Sequence, residues 1–505
     1  MTGTPNLPQW FRALGRARPL DQALVDPLGT STFAELGAGI DHVAAGLREA
    51  GICRGDRIAT MAAPSCAYVT LLLGAMAGGI APTPMNTRLT SSELTAFAAP
   101  LELSAIVADA EYAGLAKKLG ATVIELPETG PGPMAAQLAP VWAQRPDQLL
   151  TLDSEEPAII FPTGGTTGTP KGVWYDHSAL WLWMSGNSAV RERPPGSVEL
   201  YFSPFFHVTL ATILLSALFR GVTVVVQPKF DAGEALSSIE EHRVTHVVGA
   251  PAMLDMLREH PSFGSSDLTS VRSALFGSTA VTEQFIRRLK QAMPRAEMMF
   301  GYGATEAPWV TTIWHADVLA GRTRGIGRPE PGVVIQIVDE EGRPLPPGPE
   351  NVGEFVISCP WQPRGYWGNP SETASVFRFD GVHIGDVGWI EPDGWVHISG
   401  RKKEVVISGG ENVFPSEVEA VLREHPAVAD VIVYGVPDER WGERVEAGVV
   451  LREPVSDREL QDFGRQRLGG YKVPKSIKTL AAVPLTANNK PDRNAALALP
   501  GMEVK

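Results

Sequence analysis

The chain has 505 residues, of which 44% are hydrophobic and 20% charged, as in ordinary globular proteins with two or more domains. Its 57 acidic residues outnumber 44 basic ones, and this net charge of −13 argues against a general nucleic-acid-binding protein. Cys53, Cys66 and Cys359 are too few and too scattered for a disulfide framework or a zinc site. They indicate a reducing compartment, which we expect to be the cytoplasm. No signal peptide or membrane-length apolar run is visible, so we expect no membrane span.

Helices and strands are predicted to alternate over the first three hundred residues. Thr32 and Glu35 have capping-box spacing and begin a helix that Gly51 closes. Further helices are predicted at 65–77, 91–98, 210–219, 233–242, 251–259 and 282–293, and strands at 57–62, 80–84, 104–108, 158–161, 199–203, 222–227, 245–249, 271–276 and 297–300. This alternation predicts an α/β fold with mainly parallel sheets flanked by helices.

The predicted secondary structure changes twice after this region. From about residue 325, short strands and Pro/Gly turns predict a small β subdomain over residues 325–400. Beyond it, a compact α+β segment of about a hundred residues follows. We therefore predict a large N-terminal domain over 1–401 and a small C-terminal domain over 402–505.

A glycine- and threonine-rich loop over residues 161–172, FPTGGTTGTPKG, follows the strand predicted at 158–161. Successive backbone N–H groups, threonine hydroxyls and one lysine suit a polyphosphate. The loop is not a Walker A motif, because Pro170 precedes Lys171 and Gly172 follows it. The alternative is a flexible surface turn.

Two further glycine turns carry carboxylates. The sequence FGYGATE at 300–306 ends a strand, where an open parallel sheet binds its ligand. The ring of Tyr302 can stack on a purine, and Glu306 beside a hydroxyl can hold Mg²⁺ next to phosphates. Asp386 in the GDVG turn suits ribose hydroxyls. Taken singly, both carboxylates are also explained as residues that cap a helix or a turn.

The order of these motifs resembles a known superfamily. TGGTTGTPKG at 163–172 is followed by FFH at 205–207, YGATE at 302–306, GD at 385–386, GRKKEVVISGGENVFPSEVE from 400, YKVPK from 471 and ANNKPDR around Lys490. Over essentially the whole chain this is similar to the adenylate-forming superfamily of acyl-CoA synthetases, peptide-synthetase adenylation domains and firefly-type luciferases. The motif series is more specific for the superfamily than for one of its branches.

The resemblance implies two half-reactions. A carboxylate attacks the α-phosphorus of ATP and gives an acyl-adenylate and pyrophosphate; a thiol then displaces AMP. Phosphoryl transfer needs mainly charge neutralisation and in-line positioning. The implied cofactors are ATP, Mg²⁺ and coenzyme A, and the implied partner is a small-molecule carboxylic acid.

The resemblance also implies individual roles. Lys490 would bridge the substrate carboxylate and the α-phosphate, and Lys403 would be the hinge on which residues 402–505 move as a lid. His207 would gate the passage between acid and thiol, although a histidine after two phenylalanines is often a core residue. Mg²⁺ would be held by Glu306 and Thr166.

Further sets of residues are implied for each ligand. Nucleotide contacts are expected from Thr163, Gly164, Gly165, Thr166, Thr167, Gly168, Thr169, Lys171, Gly277, Ser278, Tyr302, Gly303, Thr305, Asp386 and Arg401. CoA contacts are expected from Arg88, Gly409, Gly410, Trp441, Tyr471 and Lys475. The acid pocket is expected to include Val208, Ala211, Thr212, Gly249, Phe276, Ala304, Pro308 and Trp309.

These pocket residues are small or apolar, and residues 205–210 contain no aspartate to pair a substrate amine. The sequence therefore favours an acid:CoA ligase for an aromatic or bulky aliphatic acid. The alternatives are an acyl-adenylate ligase that loads a carrier protein and a non-catalytic nucleotide-binding scaffold. Two departures from the family pattern, Gly164 in the phosphate loop and Asn489 before Lys490, leave the rates of the half-reactions open.

Overall fold

The computed structural model describes residues 6–127, 133–145, 150–163, 170–277, 283–322, 325–486 and 491–500. The chain divides into two compact units, one of residues 1–335 with 357–382 and one of residues 336–356 with 383–505. Among the described helices, none has both the length and the apolar composition needed to cross a membrane.

The elements up to residue 329 alternate largely as predicted. The helices are α1 (Leu7–Ala17), α2 (Phe33–Glu49), α3 (Cys66–Ala77), α4 (Ser91–Ala98), α5 (Ala110–Ala116), α6 (Met134–Gln137), α7 (His177–Val190), α8 (Ser216–Phe219), α9 (Ala232–Glu241), α10 (Pro251–Glu259), α11 (Glu283–Ala292) and α12 (His315–Leu319). The strands are β1 (Gln22–Asp26), β2 (Gly29–Thr32), β3 (Arg57–Met61), β4 (Ala81–Pro84), β5 (Ala105–Ala108), β6 (Val123–Glu125), β7 (Pro157–Thr163), β8 (Lys171–Asp176), β9 (Val198–Tyr201), β10 (Thr223–Val226), β11 (His246–Gly249), β12 (Ser273–Gly277), β13 (Glu297–Tyr302), β14 (Thr311–Trp314) and β15 (Arg328–Pro329).

The rest of the chain is mainly strand. Its strands are β16 (Val334–Val338), β17 (Gly353–Ser358), β18 (Gly365–Tyr366), β19 (Phe377–Arg378), β20 (Gly381–Val382), β21 (Asp386–Ile390), β22 (Val396–Arg401), β23 (Val406–Ser408), β24 (Glu411–Val413), β25 (Val428–Asp438), β26 (Gly442–Leu451) and β27 (Ser476–Thr479). Its helices are α13 (Pro370–Val376), α14 (Pro415–Arg423), α15 (Asp457–Arg465) and α16 (Arg493–Ala498).

Parallel pairing dominates the two larger sheets of the first unit. The nine-stranded sheet runs β15-β14-β13-β12-β11-β9-β10-β1-β2, and its pairs from β13 to β1 are parallel. The four-stranded sheet β4-β3-β5-β6 is parallel throughout. Both findings confirm the predicted α/β class.

Several elements of the structure were not predicted from the sequence, including α1, α5, β1, β2, β6, β8 and β14. β8 begins at Lys171, at the end of the glycine-rich loop, and forms an antiparallel hairpin with β7, where no strand was predicted. The segment predicted as one helix over 210–219 begins with a π-helical turn, Leu210–Leu215, before α8. The amide of Asn187 donates to the carbonyl oxygen of Thr212 (2.7 Å) in this turn. Such a turn re-aims nearby side chains and is frequent at functional sites.

Two buried histidines give this fold a predictable acid sensitivity. Burial lowers the pKa of His177 to about 4 and that of His246 to about 2, the latter aided by Arg193, Arg191 and Arg272. A basic group with a lowered folded pKa binds more protons when unfolded, so stability falls as pH drops below about 6.5.

We expect about 2 kcal/mol of unfolding free energy to be lost per histidine between pH 7 and pH 5. Urea unfolding at the two pH values measures this loss. His177→Leu should flatten the pH dependence, and an unchanged slope in that variant would contradict the assignment.

Candidate functional site

The hairpin of β7 and β8 holds the two ends of the predicted phosphate loop together. Thr163 pairs with Lys171 in the antiparallel register, and Thr163 is buried. A Cβ at Gly172 would lie 2.8 Å from the side chain of Ile160, so this position requires glycine. Residues Gly164, Gly165, Thr166, Thr167, Gly168 and Thr169 lie outside the described residues.

Lys171 is linked through Tyr366 to the predicted metal ligand. Its Nζ forms an ion pair with Glu372 and lies 5.1 Å from the ring centroid of Tyr366. The hydroxyl of Tyr366 donates to Glu306 Oε1 (2.8 Å). Burial, and then the charge of Glu306, raise the pKa of Tyr366 well above its usual value, which keeps this hydroxyl a donor. The phosphate-loop cation and the carboxylate proposed for Mg²⁺ therefore share one network.

Sequence reasoning missed both Tyr366 and Glu372. Glu372 lies in the first turn of α13, whose N-cap Asn369 accepts from the Glu372 backbone N–H (3.2 Å). Its sequence signal is that of an ordinary helix start. The ion pair joins residues 201 positions apart, and no local pattern predicts it.

Replacing Glu372 with glutamine should lower the KM for ATP by about two- to five-fold, because half-exposed ion pairs contribute up to about 1 kcal/mol. Lys171 is predicted to bind ATP phosphates, and the Glu372 carboxylate would then compete with them for it. Glutamine keeps the helix position while removing the charge. Initial-rate kinetics against ATP measure the change. A higher KM would mean that Glu372 assists binding by orienting the lysine.

The turn after β13 is tightly constrained. Ala304 N–H donates to Ala307 O (2.9 Å), and the hydroxyl of Tyr175 donates to Thr305 O (2.5 Å). A Cβ at Gly303 would lie 2.6 Å from the backbone nitrogen of Trp309. This packing fixes the backbone on both sides of Glu306, which favours a preorganised ligand position.

Two of the predicted pocket residues, Gly249 and Phe276, lie at the carboxyl ends of neighbouring strands. Gly249, Phe276 and Phe300 are register partners across β11, β12 and β13, and Gly277 pairs with Gly301. The ring of Phe276 stacks on Phe300 with centroids 5.0 Å apart and is 1% exposed, so it packs in the hydrophobic core beside the sheet. Ala211, Thr212, Gly249 and Pro308 are buried as well.

Trp309 stands out in this group. Its φ of +54° lies in the left-handed region that non-glycine residues rarely adopt, and such strain concentrates at ligand sites. Its ring lies 5.4 Å from the guanidinium carbon of Arg191. Arg191 itself is buried with Arg193 and Glu199, and the Arg193–Glu199 pair is 2.6 Å long. The tryptophan therefore rests on a buried, ion-paired group of side chains.

His207 is exposed, which excludes the core-histidine alternative. Its Nδ1 lies 3.2 Å from Oγ1 and 3.3 Å from the backbone nitrogen of Thr209. Phe206 beside it lies 5.8 Å from the guanidinium carbon of the exposed Arg88. The structure thus brings a predicted CoA-binding arginine next to the predicted gate, while both roles remain predictions.

The second unit pairs the two residues predicted to bind ribose. Asp386 and Arg401 are register partners on β21 and β22, with Arg401 Nε 3.1 Å from Asp386 Oδ1. The segment of Lys402, Lys403 and Glu404 follows as a 3₁₀ turn, and Lys402 Nζ lies 3.0 Å from Glu354 Oε2. Lys402 and Glu354 thus form an ion pair beside the predicted hinge residue Lys403.

The glycine loop between β23 and β24 contacts a predicted CoA residue. Gly409 (φ +63°) and Gly410 (φ +85°) both have positive φ, and Gly409 N–H donates to Trp441 O (2.8 Å). Trp441 and Tyr471 are 39% and 40% exposed, enough to leave their rings accessible to a ligand. Lys475 is exposed too. Ser278 and Lys490 lie outside the described residues.

The described residues suit a Mg²⁺ ion that is bound partly by phosphates, rather than one that is bound by protein side chains alone. Within the described ranges, no three histidine, cysteine or acidic side chains cluster closely enough to bind a metal by themselves. Mg²⁺ is commonly bound by one or two carboxylates together with substrate phosphates and water. Glu306 beside the Lys171 network supplies such a carboxylate.

Comparison with protein families adds the deciding observation. The model for the AMP-binding enzyme matches residues 11–367, and the model for its C-terminal domain matches residues 417–490. The chain belongs to the AMP-binding enzyme family. This match confirms the predicted superfamily and the predicted α/β fold of this AMP-binding enzyme. At the level of the family, the comparisons also confirm the prediction of an acid–thiol ligase that depends on ATP, Mg²⁺ and CoA.

Individual relatives differ in the acyl acceptor that their names give, which is CoA in one case and an acyl carrier protein in another. A feruloyl-CoA synthase from an Amycolatopsis species is 35% identical over 488 residues, covering 94% of this chain and 96% of that protein. The fatty acid–acyl-carrier-protein ligase ScoC of Streptomyces coeruleorubidus is 31% identical over 475 residues, covering 91% of this chain and 90% of that protein.

A solved structure covers the whole chain. The o-succinylbenzoate CoA synthetase of Bacillus subtilis in complex with its acyl-adenylate has a TM-score of 0.88 at 25% identity and covers 100% of both chains. The same enzyme with ATP and a magnesium ion has a TM-score of 0.85 at 25% identity and covers 97% of this chain and 99% of that one.

Proposed function

We propose that this AMP-binding enzyme activates a hydrophobic carboxylic acid, aromatic or bulky aliphatic, and transfers its acyl group to coenzyme A. A carboxylate oxygen attacks the α-phosphorus of ATP and the bond to the bridging oxygen breaks, so pyrophosphate leaves. The CoA thiol then loses its proton and attacks the acyl carbon, and AMP leaves with the electron pair.

The proposal of a hydrophobic acid rests on the residues predicted to line the acid pocket. Small or apolar residues meet at the ends of β11, β12 and β13, and the segment over 205–210 offers no carboxylate for a substrate ammonium. An unpaired ammonium there would be costly, which disfavours α-amino acids. The feruloyl-CoA synthase relative favours an aryl-CoA product.

The roles of individual residues follow from their surroundings. Lys171, once released from Glu372, would hold the β- and γ-phosphates, and Glu306 would hold Mg²⁺, which neutralises phosphate charge when bound. Asp386 would accept hydrogen bonds from ribose. Lys490 would serve adenylation, and the loop of Gly409 and Gly410 would serve thioester formation. The residues after Lys403 would rotate as a lid between the two steps, with 1–401 and 402–505 as the moving parts.

A panel of acids tests the substrate class. The enzyme is incubated with ATP, Mg²⁺, CoA and, in turn, hydroxycinnamates, benzoates, fatty acids of increasing length and phenylalanine. We expect acid-dependent pyrophosphate release and a CoA thioester with the hydrophobic acids, and neither with phenylalanine. Activity confined to small polar acids or amino acids would reject the proposed class.

A carrier-protein ligase remains the second candidate because the ScoC relative acts on a carrier protein by its name. The same acids offered with a phosphopantetheinylated carrier protein and with CoA separate the two acceptors. A thioester on the carrier protein alone would favour this candidate. ATP binding without acid-dependent pyrophosphate exchange would instead favour a non-catalytic scaffold.

A further inference from the structure

The chain is fastened on both sides of the segment that carries Lys490. Leu485 and Pro491 form an isolated antiparallel bridge, and Asp492 N–H donates to Pro484 O (2.8 Å). The side chain of Asp492 caps α16 by accepting from Ala495 N–H (3.0 Å). Pro491, the residue directly after Lys490, therefore belongs to a closed loop base.

Arg493 ties this loop base to three other elements. Its Nη1 lies 3.0 Å from Glu404 Oε2, next to the predicted hinge Lys403. Its Nη2 lies 3.0 Å from Glu419 Oε1 on α14, and its Nε donates to Val433 O on β25 (3.0 Å). The planar guanidinium of Arg493, whose N–H donors have a fixed geometry, thus contacts three partners in different directions.

The Glu419 contact makes this attachment rigid. Glu419 is 5% exposed, and its Oε1 also accepts from Val433 N–H (2.9 Å). Burial raises its pKa, and the charge of Arg493 is the largest opposing influence, followed by that hydrogen bond and Arg423. Arg493 therefore compensates a nearly buried carboxylate, and its position is set by the core of the second unit.

The Glu404 contact differs in kind. Glu404 is in the 3₁₀ turn that follows β22, outside the core of the second unit, and its side chain is 24% exposed. Compensation of the Glu419 charge does not require Arg493 to contact this turn. The contact instead couples the turn of Lys403 to the residues that follow Lys490.

We propose that Arg493 is a positioning residue, which fixes the loop base of Pro491 and Asp492 to the hinge turn through Glu404. The proposal rests on the proposed function for the role of Lys490, which directly precedes this loop base in the sequence. It adds that adenylation depends on a guanidinium three residues further along the chain.

Four variants separate positioning from folding. Arg493→Met removes the tie but leaves the nearly buried Glu419 dependent on Arg423, 3.8 Å away, for charge compensation. Arg493→Met combined with Glu419→Gln removes both charges and restores balance in the core. Glu404→Gln weakens only the contact to the hinge turn.

The matched control is Lys478→Met. Lys478 Nζ donates to Ala496 O and Leu499 O (both 2.7 Å) at the other end of the same helix, without touching Glu404. This variant loosens α16 but leaves the loop base at Asp492 and Arg493 in place.

The kinetic readout is the ratio of the two half-reactions. We expect acid-dependent pyrophosphate release to fall at least 30-fold in the Arg493→Met/Glu419→Gln variant and about five-fold in Glu404→Gln. Thioester formation from supplied acyl-adenylate should stay within two-fold of the wild type in both. Lys478→Met should leave the ratio unchanged. An equal loss of both steps, or an unchanged ratio in the double variant, would overturn the proposal.

Hydrogen exchange gives a readout that does not depend on activity. Amides of peptides covering residues 484–493 should exchange at least ten-fold faster in the double variant than in the wild type, and should be unaffected in Lys478→Met. Unchanged protection in the double variant would overturn the proposal even for an inactive protein. Absent pyrophosphate release in the wild type, with exchange as expected, would reject the proposed function and leave the positioning role supported.

Discussion

Replacing Lys490 with alanine is expected to slow adenylation by about 10²–10³-fold, the loss typical of removing one charge-stabilising group from a transition state. The attacking carboxylate and the α-phosphate are both anionic, and their approach is repulsive without a bridging cation. Once the acyl-adenylate exists, this repulsion is gone. Thioester formation from supplied acyl-adenylate should therefore stay near the wild-type rate.

Lys475→Ala is the matched lysine control, because this exposed residue is assigned to CoA. It should raise the KM for CoA in the second step and leave acid-dependent pyrophosphate release intact. Rapid-quench assays of each half-reaction measure both variants. Equal losses in the two half-reactions of Lys490→Ala would contradict the assignment of this lysine to the first step alone.

Exchanging Glu306 for glutamine is expected to reduce adenylation by a similar factor, about 10²–10³-fold at a fixed Mg²⁺ concentration. Glutamine keeps an oxygen that can accept from the Tyr366 hydroxyl, so the turn after β13 should survive. It loses the negative charge that a hard cation selects. Raising Mg²⁺ should recover part of the activity, because the defect lies in metal binding.

Tyr366→Phe separates the charge from the hydrogen bond. It keeps the Glu306 carboxylate and removes only the donated bond of 2.8 Å, so a loss of a few-fold is expected. Pyrophosphate release titrated against Mg²⁺ distinguishes the two variants. If Glu306→Gln showed the wild-type dependence on Mg²⁺, Glu306 would not be the metal ligand.

Local signals predicted the elements of this fold well. Thr32 with Glu35 and Thr90 with Glu93 form the capping boxes of α2 and α4, and α4 has the predicted bounds. A capping box reports contacts within one turn of helix, which the sequence carries directly. β8 was missed because its hairpin is fixed by pairing with β7 across the glycine-rich loop rather than by its own composition.

The residues of the candidate site also divide into those predicted from the sequence and those found only in the structure. Motif order identified Lys171, Glu306, Asp386 and Arg401, and the structure pairs Asp386 with Arg401 in register. Tyr366 and Glu372, the network partners of Lys171 and Glu306, come from a distant stretch of sequence and are joined to them by tertiary packing alone. The family resemblance therefore supplies the residues predicted for the reaction, while the side chains that contact Lys171 and Glu306 are revealed only by the fold.

Oxygen transfer tests the central claim most directly. An acid from the productive panel, labelled with ¹⁸O in both carboxylate oxygens, is converted in the presence of ATP and CoA, and the phosphorus products are analysed by mass spectrometry. Acyl-adenylate chemistry predicts one ¹⁸O in AMP, since the attacking oxygen stays on the α-phosphorus, and unlabelled pyrophosphate. Label in inorganic phosphate with ADP as the nucleotide product, or unlabelled AMP, would contradict the account.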